Sequence, residues 1–215
     1  MGILVESLEE VVAAAEEERE VLAPLLFARC ESLVDAAVSI SARCANGGRL
    51  LVLGLGPCAA DAERLSVELV RPVIDGTPSI PTVDISRALA DGGAPTVAGL
   101  VAALGVPGDV LVTLSPSDDD PALVCALRSA GCHGIVTVSL TGGEGGELAG
   151  ASGVDYLLAA GCSDRQLVKE HQLATCDLLC ELVQSLLQHQ TLGDQSTLGG
   201  QGRSACTAPA HTSAT

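Results

Sequence analysis

Aromatic side chains are nearly missing from this chain of 215 residues: Phe27 and Tyr156 are the only two, and there is no Trp. A core without rings must be filled by small branched aliphatics, and single-stranded nucleic acid finds no aromatic platform on which to stack. Cations are scarce as well. Eleven Lys and Arg face 27 Asp and Glu, a formal charge of −16. Nucleic-acid affinity comes mostly from cations that neutralise phosphates, so direct DNA or RNA binding is not expected and the charge is read as an aid to solubility. No apolar run reaches the length of a membrane span. The nine cysteines form no C-x-x-C pair, so neither a zinc site nor a disulfide framework is expected. Most sit among apolar neighbours, where a thiol behaves as a small hydrophobe. Met1 leads into Gly-Ile-Leu-Val and then acids, which is not the pattern of a secretory signal. A reducing cytoplasm is the expected compartment.

Hydrophobic residues make up 47% of the chain, a mix that suits helices packed on buried strands. Ser7 and Glu10 read as a capping box, and Leu8, Val11, Val12 and Ala15 recur at helical spacing. Pro24 has no N–H and is expected to end or kink this first helix. A second helix carries Cys30, Leu33, Val34, Ala37, Val38 and Ser41 on one stripe and stops at Asn46-Gly47-Gly48. Strands are expected at Arg49–Leu53, Ser79–Ile85, Val110–Leu114, Gly134–Leu140 and Val154–Ala159. The first is apolar on both faces, as in parallel strands between helix layers. Helices at Ala59–Val70, around Pro95–Leu104 and at Pro121–Ala130 separate them. A long amphipathic helix, roughly Arg165–Gln190, closes the domain with Leu167, Val168, His171, Ala174, Leu178, Leu182 and Val183 on its buried stripe. The alternation predicts an α/β fold: a three-layer sandwich with a doubly wound, five-stranded parallel sheet, preceded by N-terminal helices. Residues 1–190 form one domain. Residues 191–215, Gly/Ser/Thr-rich and without apolar periodicity, read as a disordered tail.

In open parallel sheets, ligands bind outside the carboxyl ends of the strands. Two loops leave strand ends with suitable chemistry. Gly54-Leu55-Gly56-Pro57-Cys58 follows the first strand, and its glycines let backbone N–H groups approach a ligand. Ser115-Pro116-Ser117 through Asp120 follows the third and offers hydroxyls and the N–H groups of the next helix to an anion. The first loop is not a dinucleotide fingerprint, since Ala59 stands where the third glycine belongs, and no Walker lysine exists.

These segments carry a resemblance. G-R-L-L-V-L-G-L-G-P-C-A-A-D-A from Gly48 to Ala62 resembles the phosphoheptose isomerase segment in which a strand enters C-G-N-G-x-S. G-D-V-L-V-T-L-S-P-S from Gly108 to Ser117 is similar to that family's G-D-V-L-L-x-I-S-T-S-G-N-S. L-T-G-G-E-G-G-E-L-A from Leu140 to Ala149 resembles its L-T-G-x-x-G-G-x-L-A. The likeness runs in order from Glu6 to Gln190, within the SIS (sugar isomerase) fold, and takes in a related replication regulator that binds the bacterial initiator protein. It implies a bacterial homotetramer that binds a phosphosugar; a protein partner is the alternative implied by the regulator. The implied phosphosugar-binding residues are Gly54, Gly56, Cys58, Asp91, Ser115, Ser117 and Asp120. Isomerases of this family use a glutamate after the first strand and a histidine on the last helix, sometimes with zinc; they shuttle a proton between neighbouring carbons of sedoheptulose 7-phosphate, which needs such an acid/base pair.

Glu68 matches the family glutamate, but Arg64 stands one turn earlier where the family has His. On the last helix, aligning Glu170 puts Asp177 at the distal histidine, whereas aligning His171 puts Cys176 there. The catalytic candidates are therefore Glu68, Asp177 and His171. Leu55 replaces the family Asn, Cys58 its Ser, and Asp118-Asp119-Asp120 its G-N-S. Three solvated carboxylates at a phosphate loop each repel the ligand by about 1 kcal/mol, although acids also cap a helix such as the one at Pro121. No metal or cofactor is expected, because at least two zinc ligand types are lost. The expected function is phosphosugar binding with a degraded acid/base pair, in a binding or regulatory module. An active sedoheptulose 7-phosphate isomerase using Glu68 is the alternative.

Overall fold

The computed structural model describes residues 20–72, 76–89, 94–151 and 153–198. Helical turns over 20–28 (α1) meet a turn at Arg29 and then α2, Cys30–Ala45. Pro24 therefore does not end the first helix. Its missing N–H removes a single backbone bond, to the carbonyl of Glu20, and the helix continues past it. Ser7 and the rest of the proposed capping box lie outside the described residues.

Five strands follow: β1 (Leu50–Gly54), β2 (Thr82–Asp84), β3 (Val110–Leu114), β4 (Val136–Thr141) and β5 (Tyr156–Ala159). All pair in parallel in the order β2-β1-β3-β4-β5. The doubly wound five-stranded sheet expected from the alternation is thus present. Its direction of winding reverses between β1 and β3, and that switch point opens a crevice at the strands' carboxyl ends. β2 is the weakest strand, three residues long, because Pro81 cannot donate to the ladder and marks its start.

The helices α3 (Ala59–Val70), α4 (Ala94–Leu104), α5 (Pro121–Cys132) and α6 (Arg165–Leu198) complete the layers. Successive strand residues point to opposite faces, so Leu50 and Val52 pack with α2, α3 and α6, while Leu51 and Leu53 pack with α4 and α5. Both cores are aliphatic, and each fully buried Leu contributes about 2 kcal/mol. Asp120 caps α5 by accepting from Ala122 N at 2.8 Å, with Pro121 in the first turn, where a missing N–H costs nothing.

Two stripes differ from expectation. On α2 the buried face is Leu33, Ala36, Ala37, Ile40 and Ser41, whereas Val34 and Val38 are about half exposed. On α6 Val168, His171 and Val183 are buried as expected, but so are Gln172, Thr175, Cys176, Leu179 and Cys180, while Leu178 is exposed. Both helices are apolar on more than one side, which leaves their phase poorly specified by pattern. Backbone helix also continues to Leu198, eight residues beyond the Gln190 expected.

Candidate functional site

β1 ends at Gly54, where the chain turns back on itself so sharply that a Cβ would lie 2.2 Å from the carbonyl oxygen of Cys58. Only glycine fits there. Its N–H is already committed, donating to Ser86 Oγ at 2.8 Å. The glycine serves the loop's own turn, not an N–H offered to a ligand. Gly56 has φ +52°, and a Cβ there would meet nothing within 4 Å. The β4 end approaches the β3 loop as closely, since a Cβ on Gly142 would lie 2.2 Å from Pro116 O.

Gln172 of α6 ties these ends together from beneath. Its Nε2 donates to Ser115 O at 2.6 Å and Leu140 O at 3.3 Å, and its Oε1 accepts from Cys58 Sγ at 3.4 Å. The amide is 1% exposed, and this bonding is what makes its burial tolerable. Cys58 is buried alongside, and burial pushes its thiol up to about 11, assisted by the charge on Asp61 and opposed by Lys169. At neutral pH it is a neutral thiol, neither a nucleophile nor a ready metal ligand.

Above this floor lies a cleft of about 710 Å³, bounded by Pro57 and Cys58, by Pro116, and along one whole side by Asp164 and the start of α6 as far as Leu173. Cys58 is thus the expected site residue that lines it. Ser115 and Ser117 do not line it: Ser115 is completely buried and its Oγ accepts from Ser117 N at 3.4 Å. Asp120 is occupied as the α5 cap. Asp91 lies outside the described residues.

The acid/base candidates gather elsewhere. One nitrogen of Arg64, Nη1, donates to Glu68 Oε1 on its own helix and to Asp177 Oδ1 on α6, both at 2.6 Å. Burial pulls the guanidinium's pKa down, but the bond to Asp177 and the charges on Glu68 and Asp177 more than offset this, and the net shift is upward. Arg64 stays charged. Arg64, Glu68 and Asp177 are not among the residues that line the cleft. Cys176 is fully buried in the core and Asp177 is exposed beside Arg64, so Asp177, not Cys176, shares the guanidinium with Glu68. His171 is 1% exposed and sits under α1, away from both groups. Desolvation holds its imidazole below the usual histidine range, with Arg29 adding to the effect. His171 is thus packed in the core.

A zinc ion does not fit this cluster. The guanidinium places a fixed positive charge between the two carboxylates, and among the described residues no group of three His, Cys, Asp or Glu converges on a metal position. Sequence reasoning missed Gln172, Arg165 and the Lys169 Nζ to Asp61 Oδ2 pair at 2.8 Å. The i, i+4 spacing of Arg64 and Glu68 was a legible signal for half of the bridge; the other half depends on how α3 packs against α6. Among the described residues no helix is long and apolar enough to cross a membrane.

No protein-family model matches the chain. The phosphoheptose isomerase of Nitratidesulfovibrio vulgaris (strain Miyazaki F) is 34% identical over 182 residues, 80% of this chain and 85% of that protein. The phosphoheptose isomerase of Maridesulfovibrio salexigens is 31% identical over 189 residues, 84% of this chain and 91% of the relative. Among solved structures, a phosphoheptose isomerase from Francisella tularensis superposes with a TM-score of 0.74 at 22% identity, covering 83% of this chain and 98% of that one. With the sheet order and the strand-end loops described above, these likenesses make the chain a member of the phosphoheptose isomerase family, with the SIS fold.

Proposed function

We propose that this protein binds a phosphorylated sugar in the cleft at the β1–β3 switch point and does not turn it over efficiently, acting as a binding or regulatory module. The observation that carries this reading is the Arg64 bridge. The oxygen of Glu68 that would accept a proton is engaged by a guanidinium at 2.6 Å, and the partner position on α6 holds a second carboxylate on the same nitrogen. An aldose–ketose proton shuttle needs an acid and a base at the reacting carbons. Here both groups are carboxylates and neither lines the cleft.

A second reading, an active sedoheptulose 7-phosphate isomerase using Glu68, is favoured by the names of the curated relatives, which speak for it more directly than for a silent module. One experiment separates the two: thermal stabilisation by sedoheptulose 7-phosphate, run beside a product assay on wild type and Glu68→Gln. Stabilisation without product supports the module. Product formation abolished by Glu68→Gln supports the isomerase.

We further propose a homotetramer in a reducing cytoplasm. Phe27, Val34 and Val38 present an apolar stripe on the outer face of α1 and α2, Phe27 being 78% exposed, and solvent-facing apolar patches mark contacts between chains. The eight described cysteines are all free thiols. Light scattering at micromolar concentration is expected to give four copies, and a monomer there overturns this part.

A further inference from the structure

Of the chain's eleven cationic side chains all but one are arginines, and Lys169 is its only lysine. The two types are not interchangeable. A guanidinium is planar and keeps its proton, whereas an ammonium is a compact group with three N–H donors. The place of this single lysine is the cleft wall, near the start of α6. Cys58 of the loop after β1 lies close by, since its thiol feels the charges of both Lys169 and Asp61.

Asp61 holds this ammonium from the α3 side. Lys169 Nζ donates to Asp61 Oδ2 at 2.8 Å and to Oδ1 at 3.1 Å. The Asp61 side chain is 9% exposed and that of Lys169 is 42% exposed. Contacts to one carboxylate use at most two of the three N–H groups, and Nζ has no other partner among the described residues. With the carboxylate on the buried side, the remaining N–H is left to the open side, where the cleft lies. The pair as a whole carries no net charge. An approaching phosphate would be repelled by Asp61 about as much as it is drawn by the ammonium, whereas an uncharged oxygen meets no such opposition.

We infer that Lys169, held by Asp61, donates its remaining N–H to a hydroxyl or carbonyl oxygen of the bound sugar, and so recognises the carbohydrate part of the ligand and not its phosphate. This rests on the phosphosugar-binding reading above and adds to it the residue that reads the sugar. Lys169 is a binding residue, and Asp61 is the positioning residue that directs it.

A chain with one lysine can be tested without altering it. Acetylation by an N-hydroxysuccinimide ester modifies Lys169 and the N-terminal amine, and mass spectrometry follows each rate separately. Sedoheptulose 7-phosphate, at a concentration shown by calorimetry to saturate the full chain, is expected to slow acetylation of Lys169 several-fold and leave the N-terminal amine unchanged. Inorganic phosphate at the same concentration is expected to protect neither. Asp61→Asn is expected to speed acetylation of Lys169 in the free protein, because the amine is no longer held against the chain. The double variant Asp61→Asn, Lys169→Met leaves no buried carboxylate unpartnered and is expected to weaken sedoheptulose 7-phosphate by about tenfold, the loss of a hydrogen bond from a charged donor. Equal protection by inorganic phosphate, no protection in protein saturated with the sugar phosphate, or an unchanged affinity in the double variant overturns the inference while the site reading stands. An unchanged acetylation rate in Asp61→Asn overturns the part assigned to Asp61. Absence of any binding by the wild type removes the site reading itself, and the inference with it.

Discussion

Two polar clusters lie on the same face of this sheet, both built by packing α6 on the loop and helix after β1, and they have opposite characters. At the strand ends, Gln172 secures the floor, Lys169 pairs with Asp61, and an open cleft lies along α6. Further along the same helices, Arg64 holds both Glu68 and Asp177, a cluster that keeps one net negative charge and lines no part of that cleft. The first arrangement leaves room at the strand ends. The second has used its chemistry internally. The comparison teaches that one pair of helices can carry an open cleft and a closed ion-pair cluster side by side, since the two sit on different turns.

The comparison breaks most severely if the cleft's frame is disturbed. Gly142→Ala puts a Cβ 2.2 Å from Pro116 O, a clash with backbone that no rotamer relieves. Overpacking of this kind is expected to cost about 3 kcal/mol, read as a fall in the denaturant midpoint, with the ion-pair cluster left intact. An unchanged midpoint would mean that the β3 and β4 loops are not rigidly apposed.

Gln172→Leu comes next. It leaves the carbonyls of Ser115 and Leu140 without their side-chain donor in a buried setting, an expected loss of about 1–3 kcal/mol. Weaker sugar-phosphate binding should accompany it in calorimetry. Unaltered stability would show that Gln172 fills space and does not secure the strand ends.

Arg64→Met tests the other cluster, and its effect on stability is smaller. Arg64 and Glu68 are about a third exposed and the Asp177 side chain is 61% exposed, so solvent screens the pair and the expected cost is below about 1 kcal/mol. A loss of several kcal/mol would instead make the bridge the main clamp between α3 and α6.

How far these regions were legible in the sequence follows the same division. The bounds of β3 and α3 coincide with those expected, because a five-residue aliphatic run between turn signals and a helix entered from Gly-Pro are local patterns. The doubly wound parallel sheet was legible too, since it follows from strand–helix alternation, whereas its strand order comes from the structure. The Arg64–Asp177 contact joins residues 113 apart in sequence, and no periodicity reports it. The phase of α6 failed for a related reason. Polar Gln172, Thr175 and Gln184 are buried there, because strand-end carbonyls and neighbouring helices supply their partners, and a hydrophobicity pattern assigns such residues to solvent. In the loop after β3, Ser115 Oγ closes its own turn and Asp120 caps its own helix, and such local bonds are open to the same residue types that would cradle a ligand.

The smallest effect expected is on pH dependence, and it sharpens the contrast by placing His171 in the core. Its folded-state pKa is depressed by burial and by Arg29, so folding favours the neutral ring. Stability from this group is fully present above the unfolded pKa of about 6.5 and is lost as pH falls below it toward the depressed folded value. Denaturant midpoints between pH 7.5 and 5 should therefore fall on the acid side for the wild type and fall less for His171→Gln. A wild-type midpoint flat over that range would remove His171 from the buried, neutral set.

The most direct test is product formation from sedoheptulose 7-phosphate by protein shown calorimetrically to be saturated with it. With Glu68 and Asp177 both bound to Arg64, the expected result is binding with turnover absent or orders of magnitude below the roughly 10 s⁻¹ typical of enzymes. Turnover near that rate, abolished by Glu68→Gln, would contradict the reading and show that the bridge opens to release a working base.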